Sequence, residues 1–300
     1  MTRLWAVLGP TASGKTCTAI ELAERIDAEI ISVDSMQVYR GMDIGTAKAT
    51  TEEQARVRHH MIDVVEPEET FDVVQFREMG RAVIDTGRPM VIVGGSGLHF
   101  RSLVDPMSFA PSDPAVREEL GGLPLEEVVA ELLSIDSESG THVDLSNPRR
   151  VVRALEIAHL GGGTPTERAI SPEAIQLREY IPQIPFRAVG LDPGDRIADR
   201  IGIRTQRMSA DGLLAEVARL APRLGPTART AVGYRQLLEV VTGEISEDAG
   251  FDAVESVTRH LVRRQRTFFR RDPRIQWLPW DDDPRRMVGA ALAHLQNGDR

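Results

Sequence analysis

At 300 residues, 41% hydrophobic and 27% charged, the chain has the make-up of a soluble globular protein with length for one large domain or two smaller ones. Its single cysteine, Cys17, excludes an internal disulfide and a cysteine-based zinc site, and fits a reducing cytoplasm. No apolar run reaches the ~18 residues of a membrane span, so no membrane association is expected. The net charge of −9 does not advertise a nucleic-acid binder, which directs attention to local clusters of charge.

In chain order, Leu4 to Leu8 reads as a short apolar strand. Gly9-Pro10-Thr11-Ala12-Ser13-Gly14-Lys15-Thr16 follows and matches G-x-x-x-x-G-K-[ST]. Ile20, Leu22, Ala23 and Ile26 then recur at helical spacing. Strand, glycine-rich loop and helix together form a cradle for a di- or polyphosphate. The loop amides turn inward, the helix adds the positive end of its dipole, Lys15 reaches a terminal phosphate, and the Thr16 hydroxyl ligates Mg²⁺. Only two of the 36 basic residues are lysines, Lys15 and Lys48, and both fall in this N-terminal region. Lys48 reads either as a needed ammonium or as a solvated loop residue.

Glu29 to Val33 is a second buried strand, ending at Asp34-Ser35. Ligands of open parallel sheets bind beyond the carboxyl ends of strands, so Asp34 is expected on the side of the phosphate loop. Gly41 to Lys48 is an ordered loop, residues 51–58 a short polar helix, 61–65 a short strand or loop, and 72–85 a helix. His59-His60 reads as a packed or polar pair in preference to a metal site. Met90 to Val93 is a further buried strand running into Gly94-Gly95-Ser96-Gly97. It lacks the terminal Asp of an NTP hydrolase. A helix over 98–103 follows.

Residues 112–185 carry no convincing buried strand but helical patterns at 113–121, 125–134 and 147–160. They form a helical insertion between core segments 1–111 and 186–300. A strand returns at 186–191. Helices are predicted over 195–208, 213–220, 230–241 and 251–271, a strand over 275–278, and a last helix over 284–296 capped by Asp281-Asp282-Asp283. The fold class is α/β: a P-loop-type parallel sheet core flanked by helices, with a mostly helical insertion. Two arginine clusters stand out on an acidic chain. One is Arg259, Arg263, Arg264, Arg266, Arg270, Arg271 and Arg274, and the other is Arg149, Arg150 and Arg153. Both read as surfaces for a phosphate backbone.

The phosphate loop, Ile31-Ser32-Val33-Asp34-Ser35-Met36-Gln37-Val38-Tyr39, Gly41 to Lys48, Val232-Gly233-Tyr234-Arg235-Gln236 and Arg264 to Asp272 together resemble the tRNA dimethylallyltransferase (tRNA isopentenyltransferase) family. The resemblance runs from residue 4 to about 280. It implies transfer of a dimethylallyl group from dimethylallyl diphosphate to the exocyclic amine of the adenine 3′-adjacent to the anticodon. The partners implied are this diphosphate and the tRNA anticodon stem-loop, with Mg²⁺ as cofactor, in a cytoplasmic monomer with no obligate protein partner.

Within that reaction Lys15, Thr16 and the loop amides stabilise the leaving diphosphate. Arg204, in Arg200-Ile201-Gly202-Ile203-Arg204, resembles a diphosphate-contacting position, and Arg235 is a further candidate. The acceptor amine is a poor nucleophile, and Asp34 is the candidate base. Ser35, Met36 and Gln37 would lie beside the flipped-out adenine. Ser96 stands where the family usually has Thr, His99-Phe100 near its usual Tyr, and Ala49 where it mostly has Pro. Arg117 and Arg149-Arg150-Val151-Val152-Arg153 match positions that touch tRNA. The lack of the zinc finger of eukaryotic members fits a bacterial-type enzyme. A P-loop small-molecule or nucleoside kinase is the alternative, and the missing acid after Val93 weighs against it. An RNA-binding module without activity would leave Lys15, Thr16 and Asp34 unexplained.

Overall fold

The computed structural model describes residues 4–296. Its sheet is built from β1 (Leu4–Leu8), β2 (Glu29–Val33), β3 (His59–His60), β4 (Met90–Gly94), β5 (Arg187–Gly190) and β6 (Ile275–Trp277). These lie in the order β3-β2-β4-β1-β5-β6, every neighbouring pair parallel. Parallel pairing demands crossovers, and helices supply them. Around the sheet run α1 (Lys15–Arg25), α2 (Thr51–Arg56), α3 (Val73–Ile84) and α4 (Gly97–Val104). The middle of the chain holds α5 (Pro114–Gly121), α6 (Leu125–Ile135), α7 (Pro148–His159), α8 (Pro165–Ala169) and α9 (Pro172–Arg178). The last third adds α10 (Ile197–Ala210), α11 (Leu213–Leu220), α12 (Tyr234–Val241), α13 (Glu247–Arg270) and α14 (Pro284–Gln296).

Strand side chains alternate between faces, so each apolar run feeds two cores. Leu8, Ile31, Val33 and Ile92 join Phe76, Phe100, Leu213 and Tyr234 in one. Val7, Ile30, Val91 and Val93 join Ile20 and Leu22 of α1 and Met287 and Ala291 of α14 in the other. Register matters for function. Gly94 lies opposite both Leu8 and Val33, so β1, β2 and β4 end level with one another. Gly9, Asp34 and Gly95 therefore leave the same edge of the sheet.

Several boundaries differ from the sequence expectation. Of the two readings of 61–65, strand or loop, the loop holds, because Met61 and Asp63 take positive φ (63° and 52°) and break the extended run; the short strand lies just before it, at His59–His60. Val65 keeps only an isolated bridge to Tyr39. The helix expected at 251 starts at Glu247, where Ser246 caps it by accepting from the Ala249 amide at 3.3 Å. The helix expected at 230 starts at Tyr234. The short α8 and α9, absent from the sequence expectation, open on Thr164-Pro165 and Ser171-Pro172 and are too short to carry an apolar face of their own.

The chain divides into two compact units, Met1–Val104 with Ile184–Arg300, and Asp105–Gln183. The division falls at 105, ahead of the expected 112, because Arg153 Nη1 and Nη2 donate to the Pro111 and Ala110 carbonyls at 2.8 and 3.1 Å. The second unit has its own core of Leu120, Val128, Leu132, Val151 and Leu155. Among the described residues no helix is long and apolar enough to cross a membrane.

Candidate active site

The phosphate loop leaves β1 at Gly9, where a Cβ would stand 2.2 Å from the Leu191 carbonyl oxygen, so only glycine fits. Gly14 precedes α1 in a left-handed conformation (φ 85°), and no side chain caps the helix. The first-turn amides of α1 thus face a cradle suited to an anion. Lys15 Nζ donates to the Pro10 carbonyl at 3.0 Å. Thr11 N donates to Gln265 Oε1 at 2.9 Å, and the Gln265 amide lies so close to Gly95 that a Cβ there would be 2.4 Å from its nitrogen.

Next to the loop lies a cavity of about 360 Å³. Lys15 and Arg204 form its cationic wall and Asp34 its carboxylate, with Ser35, Met36 and Ser96 beside it and Leu213, Val254, Leu261 and Phe268 giving apolar surface. Lys15 and Arg204 also line a second cavity of about 830 Å³, together with Gly14, Thr16, Arg200 and Arg207. A third, of about 50 Å³, is lined by Thr16, Asp34 and Gln37. Burial draws the Lys15 pKa down to about 8, the Arg204 guanidinium adds to this, and the Asp34 carboxylate opposes it. Burial lowers Arg204 too, again against the pull of Asp34. Two crowded cations facing one carboxylate make a site that calls for further negative charge.

Asp34 follows β2 in a turn and accepts the Met36 amide at 2.9 Å. Gln37 is occupied elsewhere. Ser32 Oγ donates to its Oε1 at 2.7 Å, and its Nε2 donates to the Thr46 and Ala47 carbonyls at 3.1 and 3.3 Å. It therefore braces the 41–48 loop, and Ser35 and Met36 line the 360 Å³ cavity without it. Ser96 Oγ pairs with His99 Nδ1 at 2.7 Å. The buried His99 ring meets Phe76 edge-on, centroids 4.5 Å apart, and burial lowers its pKa against the opposing charge of Asp34.

The 41–48 loop owes its shape to Glu216. Its carboxylate accepts the amides of Asp43, Ile44 and Gly45 at 3.1, 2.9 and 3.1 Å, and the Tyr234 hydroxyl at 2.5 Å. Lys48 is a buried brace, correcting its solvated reading: Nζ reaches Asp43 and Asp63, each at 2.6 Å, and the Tyr39 carbonyl at 2.9 Å. Cys17 is half-buried, and burial raises its thiol pKa, as suits a packing residue.

Other expected site residues do not line these cavities. Arg235 is exposed on α12 and does not line the cavities that Lys15 lines. Arg117 and Arg153 converge on Glu156, which is fully buried, at 3.0 and 2.7 Å. Val151 is fully buried in the second unit's core and Val152 packs against it, so Val151 presents no surface to RNA. Arg149 and Arg150 are exposed, Arg150 lying 3.8 Å from Asp144. The α13 cluster is likewise divided. Arg266 and Arg270 hold Asp192 at 2.5 and 3.0 Å, Arg274 holds Asp272 at 2.6 Å, and Arg259 pairs with Glu255. Arg264 turns to the cavity. Neither it nor Gln265 stands out as a site residue in the sequence, because a run of arginines reads first as surface. Asp283 caps α14 by accepting the Arg285 amide at 2.9 Å, while Asp282 engages Arg196 and Asp281 engages Arg286.

A family model described as IPP transferase matches residues 37–272. The tRNA dimethylallyltransferase of Bifidobacterium animalis subsp. lactis is 41% identical over 290 residues, 92% of this chain and 82% of that protein. The crystal structure of a tRNA delta(2)-isopentenylpyrophosphate transferase from Staphylococcus epidermidis shares 30% identity at a TM-score of 0.71, covering 98% of this chain and 99% of that one. The full-length tRNA isopentenylpyrophosphate transferase from Bacillus halodurans shares 31% at a TM-score of 0.68, covering 100% of this chain and 98% of that one. With a P-loop sheet, a cation-lined cavity and this match along most of its length, the chain belongs to the IPP transferase family.

Proposed function

We propose that this chain transfers a dimethylallyl group from dimethylallyl diphosphate to the exocyclic amine of the adenine 3′-adjacent to the anticodon of tRNA, releasing diphosphate. The observation that carries the reading is one cavity that joins Lys15 and Arg204, an apolar wall and the Asp34 carboxylate. Each part answers a need of the reaction. The cations and loop amides take up charge as the allylic C–O bond breaks. The apolar wall receives the five-carbon group and keeps water from the forming allylic cation. As the C–N bond forms, Asp34 accepts a proton from the amine, which is acidic only once its nitrogen is alkylated.

Among the described residues no group of three or more His, Cys, Asp or Glu side chains is placed to hold a metal. Thr16 lines a small cavity beside the cradle and offers it a hydroxyl. Such a sparse oxygen set suits a hard cation that takes its other ligands from water and phosphate. Thr16 would hold Mg²⁺ there, and the ion would help neutralise the leaving diphosphate. The kinase reading loses support at β4, whose end runs into Gly95, Ser96 and Gly97 without a carboxylate.

The test incubates the protein with dimethylallyl diphosphate, Mg²⁺ and unmodified tRNA, without ATP, and analyses tRNA nucleosides by mass spectrometry. Isopentenyl-adenosine is expected. Its absence alongside robust ATP hydrolysis overturns the reading. Asp34→Ala should abolish transfer while diphosphate still binds. Equal loss of both would make Asp34 a metal or structural residue.

A further inference from the structure

The phosphate loop is fastened from outside by side chains that its own motif does not include. Trp280 lies beyond residue 272, where the family-model match ends, in the segment joining β6 to α14. Its indole N–H donates to the Ser13 carbonyl at 3.1 Å. Arg200 Nε, from α10, donates to the adjacent Ala12 carbonyl at 2.7 Å. The Arg200 guanidinium stands over the Trp280 ring, 5.0 Å from its centroid, and Asp282 lies 3.7 Å from its Nη1. One cation-on-ring stack thus ties two donors to two consecutive carbonyls.

Those two carbonyls matter because of peptide geometry. A trans peptide is planar, with its C=O and N–H pointing in opposite directions. Pulling the Ala12 carbonyl outward aims the Ser13 N–H inward, and pulling the Ser13 carbonyl outward does the same for Gly14. Ala12 itself sits at φ 63°, a left-handed backbone that a non-glycine residue holds only where its surroundings impose it. We propose that Trp280 and Arg200 are positioning residues for the diphosphate: they set the Ala12–Ser13 and Ser13–Gly14 peptide planes so that both amides point into the cradle before substrate arrives. Preorganised donors bind more tightly because ordering them no longer costs affinity. The inference rests on the phosphate-cradle reading above. It also makes Trp280 a reporter, since its ring is bonded to the loop that the anion contacts.

The test is Trp280→Phe, which removes the N–H and leaves a ring beneath Arg200. Inorganic pyrophosphate with Mg²⁺ is titrated by calorimetry, and steady-state kinetics vary the allylic diphosphate and the tRNA separately. Loss of one such hydrogen bond should weaken pyrophosphate by about tenfold. KM for the allylic diphosphate should rise to match, with KM for tRNA unmoved. Trp280→His, which keeps a ring donor, should recover part of the affinity. Pyrophosphate should shift tryptophan emission in the wild type and not in Trp280→Phe, although Trp5 and Trp277 remain. Arg200→Gln, combined with Trp280→Phe, should cost less than the sum of the two single losses, because both act on one loop. Unchanged pyrophosphate affinity in Trp280→Phe overturns the inference, as does a lowered melting temperature with full affinity in the folded protein. A wild type that binds no pyrophosphate overturns the cradle reading, and the inference with it.

Discussion

Lys15 is held in a setting that works against its charge. Burial first, and Arg204 second, bring its pKa from 10.5 to about 8, with Asp34 opposing. A lowered pKa means that the folded state binds fewer protons between these values. The cost of folding around a charged Lys15 is therefore full below pH about 8 and fades as pH rises toward 10.5. Substrate capture runs the other way, because the free protein needs the ammonium to meet a diphosphate. Expected, then, is a kcat/KM for the allylic diphosphate that falls as pH climbs through about 8, with kcat holding to higher pH. A pH profile with the donor varied checks this, and a flat kcat/KM across that range would contradict it. At the same scale, Ser96 depends on a neighbour three positions on, His99. His99→Phe keeps the edge-on packing with Phe76 but removes the partner of Ser96 Oγ. It should lower kcat by about three- to tenfold, the loss of one ordinary hydrogen bond, with KM for diphosphate unchanged.

Among the elements, the 41–48 loop shows how a motif legible in sequence gets its shape from elsewhere. Too many glycines for regular structure mark it as a loop. The three amides it turns inward, however, find their acceptor in Glu216, more than 170 positions away. A helical carboxylate on α11 reads as a surface charge until the fold buries it. Glu216→Gln would set an NH₂ group or a weaker acceptor against three backbone donors. It should destabilise the protein by about 2–4 kcal/mol in urea unfolding, with a raised KM for tRNA from the loosened loop. Stability within about 0.5 kcal/mol of wild type would remove Glu216 from this role. The α13 helix makes the same point: its apolar period is legible in sequence from Phe251, but its first turn depends on the Ser246 cap.

At the scale of the whole molecule, the question is which arginines remain for RNA on a chain of net −9. Arg149 and Arg150 are exposed, whereas Arg117 and Arg153 are held by buried Glu156. Arg149→Ala with Arg150→Ala should weaken tRNA binding and lower the slope of log K against log salt by about 1–2, leaving the melting temperature in place. Filter binding across a salt series measures it, and an unchanged slope would remove these two from the interface. Local chemistry alone determined the strand–loop–helix cradle, the carboxylate after β2 and the two-faced apolar strands, because each is written within a few consecutive residues. Only the tertiary structure decided which charges are free. The partners of Arg266 and Arg117 lie 74 and 39 positions off, and a run of arginines looks the same whether a distant carboxylate has closed over it or not. The cradle's own alignment is of this second kind, since the donors to its carbonyls come from Arg200 and Trp280, 188 and 267 positions away.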